Sequence, residues 1–118
     1  MIYGIGTDIV EVKRIEQAVK RWGDSFLSHI FTPAEIAYAK QNKNPSQHLA
    51  ARFAAKEAVF KAIGDKPDIR WKEIEVFNDK YGRPCCIFKK KNFKRKILIS
   101  LSHTKHYAVA NAIVTSKS

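Results

Sequence analysis

Two carboxylates and a few cations hold most of the chemical potential of this 118-residue chain. Asp8 follows the glycine-containing stretch Tyr3-Gly4-Ile5-Gly6-Thr7, and Glu57 lies inside SQHLAARFAAKEAVFKAIG, residues 46–64, together with Arg52, Lys56 and Lys61. Two carboxylates beside Lys and Arg suit Mg²⁺ holding a diphosphate: hard oxygen ligands for the ion, basic groups for the remaining phosphate charge. The plainer alternative is an i,i+4 pair, Glu57 with Lys61, on a partly exposed helix edge. Ser102-His103-Thr104-Lys105-His106 adds a polar His-Thr pair, for which a neutral, hydrogen-bonded loop histidine is the ordinary state.

The element that must position Glu57 is a helix over 46–64, with six alanines, Pro45 before it and Gly64 at its stop. Leu49, Phe53, Phe60 and Ile63 fall on one face; Ala51, Ala54, Ala55, Ala58 and Ala62 fall on the opposite one. A helix apolar on two sides is covered on two sides, by a core and by a sheet or a second subunit. Arg52 and Lys56 take one flank, Glu57 and Lys61 the other. Buried charge needs a counter-ion, a metal or an anionic ligand.

The element positioning Asp8 is a short strand over 2–6, in which Gly4 and Gly6 signal close backbone approach or a tight exit. Val12, Ile15, Val19 and Trp22 predict a helix from about Ile9 to Trp22 ended by Gly23, with Asp8 at the junction as an N-cap or first-turn acid. Its outer face carries a basic stripe, Lys13, Arg14, Lys20 and Arg21, either a solvated face or a docking surface. Asp24–Phe31 reads as one or two helical turns. Thr32-Pro33-Ala34-Glu35 has the form of a capping box opening a helix to about Gln41. Beyond Gly64 the period becomes two: strands over 71–77, 85–88, 96–101 and 107–114, with a turn at 78–84 and a lysine-rich tip at 89–96. The order predicts a single α+β domain over 1–118, a mainly antiparallel sheet against a long central helix and shorter helices.

Lys and Arg number 22 against 11 acidic residues, a formal charge of +11, so an anionic partner is expected: nucleic acid, acidic protein, phosphorylated small molecule or membrane surface. Adjacent Cys85 and Cys86 point to opposite strand faces and read as packing residues in a reducing compartment. With no basic, apolar leader at the start and no apolar run of about 18 residues, a cytoplasmic protein is expected. Phosphate-binding loops, dinucleotide fingerprints, HExxH, CxxC and GxSxG are absent.

GIGTDIVEVKRI at 4–15, FTPAE at 31–35, ARFAAKEAVFKAIG at 51–64 and SLSHTKHYAVA at 100–110 closely resemble the holo-acyl-carrier-protein synthases, the small bacterial type of 4′-phosphopantetheinyl transferase. The resemblance spans nearly the whole chain in order. It implies transfer of 4′-phosphopantetheine from coenzyme A to a serine of apo acyl carrier protein, with release of adenosine 3′,5′-bisphosphate. It implies that Asp8 and Glu57 ligate Mg²⁺, that Lys61 stabilises diphosphate charge, and that Arg52, Lys61 and Gly64 contact the nucleotide end. His103 and Thr104 would reach that end from a neighbouring subunit of a homotrimer. The basic stripe would then dock the acidic carrier. Candidates for the base that takes the serine proton are Glu57, Asp8, Glu35 or a metal-bound water, and Lys56 has no assigned role. Many members of that family carry a glycine-rich loop with a G-T-G element after the central helix, whereas this chain has the shorter, charged Gly64-Asp65-Lys66-Pro67-Asp68. The competing class is a nucleic-acid-binding module resting on the +11 charge, Trp22, Trp71 and the lysine-rich tip; it leaves Asp8 and Glu57 unexplained.

Overall fold

The computed structural model describes residues 1–64, 69–90 and 93–116. The chain after Gly64 singled out above, 65–68, lies outside them, as do Lys91 and Asn92 of the lysine-rich tip.

The first strand, β1, is Ile2–Glu11, twice as long as the sequence suggests, and Asp8 sits within it rather than at a helix start. The reason is its pairing. Residues from Thr7 to Glu11 continue an antiparallel ladder against Asn111 back to Tyr107, with Asp8 opposite Ala110. Gly4, Gly6, Asp8 and Val10 form the half-buried face; Tyr3, Ile5, Thr7, Ile9 and Glu11 alternate on the exposed one. Helix α1 begins only at Val12 and runs to Trp22, where Gly23, at φ 54°, closes it by donating its N–H to the Val19 carbonyl at 2.8 Å. Helix α2 is Asp24–Ile30 and α3 is Pro33–Lys40. The capping box at the start of α3 forms as expected, Thr32 Oγ1 accepting from the Glu35 N–H and Glu35 Oε1 from the Thr32 N–H.

The long helix α4, Pro45–Ile63, is the spine. Its alanine face packs against β1 and against β5, Tyr107–Ser116, which pairs on its other side with β4, Arg95–His103. A Cβ on Gly4 would overlap the Ala62 carbonyl and one on Gly6 the Ala58 carbonyl, so these two glycines let β1 lie directly on α4. The opposite face meets Trp71, which is stacked on Phe53 at 5.1 Å and edge-on to Phe60 at 5.0 Å.

Trp71–Glu73 is a 3₁₀ turn, not strand, because the Arg70 N–H is taken by Glu73 Oε1 at 2.7 Å and the Trp71 carbonyl by Lys56. The strand starts at Ile74. β2, Ile74–Asn78, and β3, Pro84–Phe88, form a two-stranded antiparallel ribbon separate from the β1-β5-β4 sheet. The architecture is α+β with antiparallel sheets around a central helix, in agreement with the sequence reading.

Candidate functional site

Glycines in β1 and alanines in α4 bring Asp8 and Glu57 together. Both line a groove of about 500 Å³ with Val10, Phe53, Arg14 and Arg21. Lys61, one turn beyond Glu57, donates to Asp8 Oδ1 at 3.3 Å and to the Thr7 carbonyl at 2.9 Å. The Asp8 side chain is 17% exposed and that of Lys61 54%. Burial pushes the Glu57 carboxyl above its ordinary range, the Asp8 charge pushes it further, and Lys61 opposes both. Two carboxylates held this way attract a cation more than one half-exposed ammonium supplies.

Among the described residues no three His, Cys, Asp or Glu side chains cluster as a ligand set, so a metal here would have only these two protein carboxylates. That donor set fits Mg²⁺, which is commonly held by one or two carboxylates, with substrate phosphates and water completing its shell.

The basic stripe divides. Arg14 and Arg21, seven residues apart on α1, share the Asp8–Glu57 groove with Gln17 and Ala18. Lys20 turns away and meets Glu16 at 3.9 Å on the exposed surface. Lys13 lines a separate recess with Lys43, Lys105 and His106 at the start of α4.

Arg52 is nine residues from Lys61, half a helical circumference and about 13 Å along the axis. It lies on the other flank of α4, only 3% exposed, its guanidinium 4.1 Å from the Tyr38 ring and its Nε without a partner among the described residues. His48, one turn earlier, has its ring 5.5 Å from Tyr38 and 5.3 Å from His103. Burial lowers the pKa of His48, and the charges of His103 and Arg52 lower it further. Within one chain, then, Arg52, His48 and His103 belong to one cluster and Asp8, Glu57 and Lys61 to another. Sequence reasoning did not single out Tyr38 or His48; the i,i+4 spacing of His48 and Arg52 was the available signal. Thr104 folds its own turn, its Oγ1 accepting from the His106 and Tyr107 N–H groups at 3.2 and 3.1 Å. Gly64 closes α4 in an exposed position at φ 90°, with open space where a side chain would stand.

Lys56 faces neither phosphate nor solvent. Fully buried, it meets Glu35 Oε1 at 2.6 Å and donates to the Ile30 and Trp71 carbonyls at 2.8 and 3.1 Å. Glu35 also accepts the Thr32 and Val76 N–H groups, both at 2.8 Å. A carboxylate 1% exposed with both oxygens engaged is unsuited to collect a proton from a macromolecular substrate, which removes Glu35 from the candidate bases. Cys86 is equally inert, its thiol pushed up to about 12 by burial, and Cys85 is likewise free.

Residues 4–112 match the sequence pattern of the 4′-phosphopantetheinyl transferase superfamily. A holo-[acyl-carrier-protein] synthase of Thermodesulfovibrio yellowstonii is 47% identical over 115 residues, covering 98% of this chain and all of that relative. Among solved structures, a holo-(acyl-carrier-protein) synthase from Bacillus anthracis in complex with CoA (3′,5′-ADP) superposes with a TM-score of 0.86 at 38% identity, over 98% of both chains. The Helicobacter pylori holo-[acyl-carrier-protein] synthase in complex with coenzyme A gives 0.84 at 32%, over 94% of this chain and 99% of that one.

Proposed function

The chain belongs to the 4′-phosphopantetheinyl transferase superfamily as one of its holo-[acyl-carrier-protein] synthases, and from that premise we propose how its own residues carry out the transfer. The donor is coenzyme A and the acceptor a serine of an acidic apo acyl carrier protein. The serine oxygen attacks the phosphorus next to pantetheine, the bond to the adenosine 3′,5′-bisphosphate oxygen breaks, and the serine proton passes to a base in the groove.

The observation that carries this reading is the Asp8–Glu57 pair facing one groove, with burial and mutual repulsion raising the Glu57 pKa and Lys61 as the nearby cation. Asp8 and Glu57 would hold Mg²⁺, which when bound supplies positive charge against the diphosphate and the leaving phosphate. Lys61 sits beside the carboxylates, where an ammonium can stabilise diphosphate charge as it builds. Asp8, Glu57 or a water in the groove remain as candidate bases. Arg14 and Arg21, lining the same groove, would receive carrier carboxylates and bring the serine to the phosphorus.

Arg52 and His103, with Thr104 close to His103, would take the nucleotide end of a coenzyme A whose diphosphate lies in a neighbouring copy; Gly64, beyond Lys61, would face that end from its own copy. The outer face of the β1-β5-β4 sheet supports such an assembly. Ile5, Ile9 and Leu98 are 70%, 64% and 46% exposed on it, an apolar surface that a homotrimer would cover. No helix among the described residues is long and apolar enough to cross a membrane. The reading is of a single transferase domain working in the cytoplasm.

Mass spectrometry of apo carrier protein incubated with coenzyme A, Mg²⁺ and this protein tests the reading. A phosphopantetheine gain that vanishes with chelator is expected. No gain, with salt-dependent binding of DNA or RNA instead, would favour the nucleic-acid module.

A further inference from the structure

Beyond the Asp8–Glu57 groove lies a second, larger trough of about 920 Å³, open to solvent. Trp22, Phe26, Ile69 and Trp71 are its apolar residues, and Trp22 and Phe26 also line the first groove, so the two are continuous. Its rim carries three cations, Arg70 and Lys72 at the 3₁₀ turn and Lys89 after β3, with His29 of α2 beside them. The one acid there, Glu73, is held by the Arg70 N–H at 2.7 Å, and Lys89 is drawn toward Glu75 at 3.6 Å. Arg70 and Lys72 are exposed. Trp22, 55% exposed, is a large apolar side chain left to solvent at the end of α1.

We propose that this trough is a second docking surface for the acidic carrier protein, taking an acidic, amphipathic segment distinct from the one that meets Arg14 and Arg21. The inference rests on the transferase reading. Trp22 is eight residues past Arg14, about 12 Å farther along α1. Apolar aromatic surface inside a cationic rim is the surface that an acidic helix with a few apolar anchors complements. Continuity through Trp22 and Phe26 lets one carrier span both grooves. Trp71, against the Phe53 and Phe60 rings that flank Glu57 along α4, makes this surface part of the wall beside the candidate catalytic groove.

The test is charge reversal at Arg70 and Lys72 in the full chain, both being exposed and outside the transfer groove. Steady-state kinetics on carrier protein should show carrier KM raised about tenfold at low salt, with the difference shrinking at 0.5 M salt as screening takes hold, and with coenzyme A KM and kcat unchanged. The two tryptophans of the chain, Trp22 and Trp71, both line the trough. Titration with carrier protein should therefore change the intrinsic fluorescence, and the double variant should need about tenfold more carrier for the same change. An unchanged carrier KM overturns the proposal, as does a rise in coenzyme A KM alone, which would give the trough to the donor. If the unaltered protein modifies no carrier at all, the transferase reading itself fails.

Discussion

Helix α4 carries two lysine–carboxylate clusters, and they differ in what is left over. Lys56 and Glu35 are sealed, 0% exposed, at 2.6 Å, and backbone groups occupy the remaining donors and acceptors. Lys61 and Asp8 stand half-open at 3.3 Å, with Glu57 beside them raised in pKa by burial and by Asp8. The first cluster is complete as it stands, and its charges fix α2, α3 and the 3₁₀ turn against α4. In the second, Glu57 has no ion pair among the described residues, and the cluster borders a groove that Arg14 and Arg21 also line. Residue types alone do not separate the two; completeness of pairing does.

The sharpest way to break the comparison is to neutralise one carboxylate in each. Glu57→Gln should lower turnover on the order of 10²–10³-fold at saturating Mg²⁺ while thermal melting stays within a degree or two, since the group is a liability to the apo fold. Normal turnover would sink the metal role. Lys56→Met should do the reverse first: leaving Glu35 buried without its partner costs about 3–5 kcal/mol, read as a fall in the urea midpoint. A fold unmoved by Lys56→Met would place the pair among exposed, weakly contributing bridges.

Gly6→Ala probes the strand that carries Asp8 of the open cluster. The new methyl meets the Ala58 carbonyl, and the main chain of β1 or α4 must give way. Overpacking of this kind costs about 1–3 kcal/mol. Because Asp8 is two residues along the same strand face, activity should fall by more than the stability loss explains. Activity proportional to the folded fraction would show that the Asp8–Glu57 spacing tolerates the shift.

How much of this was legible follows from the same residues. The capping box, the Gly23 stop, the long α4 and its two apolar faces were readable because each depends on local periodicity or turn chemistry. The length of β1 was not, because the helical spacing of Val12, Ile15 and Val19 pulls the predicted helix start back into residues whose partner, β5, lies about 100 positions away. Asp8 thus changed from a cap to a strand residue without leaving the site. Lys56 was opaque for another reason. Its acceptors come from residues 30, 35 and 71, and no local pattern announces a buried ammonium. The division between Arg52 and Lys61 was available in helix geometry alone, since nine residues make half a circle beyond two full turns.

The split of the α1 stripe gives a graded version of the contrast. Arg14 and Arg21 line the groove, so reversing both should raise carrier KM several-fold to tenfold in a salt-sensitive way, with coenzyme A binding little altered. Lys20 spends itself on Glu16 at 3.9 Å, an exposed i,i+4 pair worth about 0.3–0.5 kcal/mol, and its reversal should change KM less. Equal effects would return all four cations to one undivided surface.

The smallest expected effect lies at the far end of α4. His48 has its pKa held below the ordinary 6.5 by burial, by His103 and by Arg52, so the folded protein binds this proton less readily than the unfolded chain. Stability from this source is therefore present above about pH 6.5 and is lost as pH falls through the folded value. Partial exposure keeps the contribution small. Between pH 7 and 5 the melting temperature should drop, and His48→Phe should flatten the drop. Coenzyme A at saturating concentration should offset it as well, because an anion against Arg52 and His103 makes protonation of His48 favourable. If coenzyme A protects equally at pH 7 and pH 5, its negative charge does not reach this cluster, and the nucleotide end must be sought elsewhere.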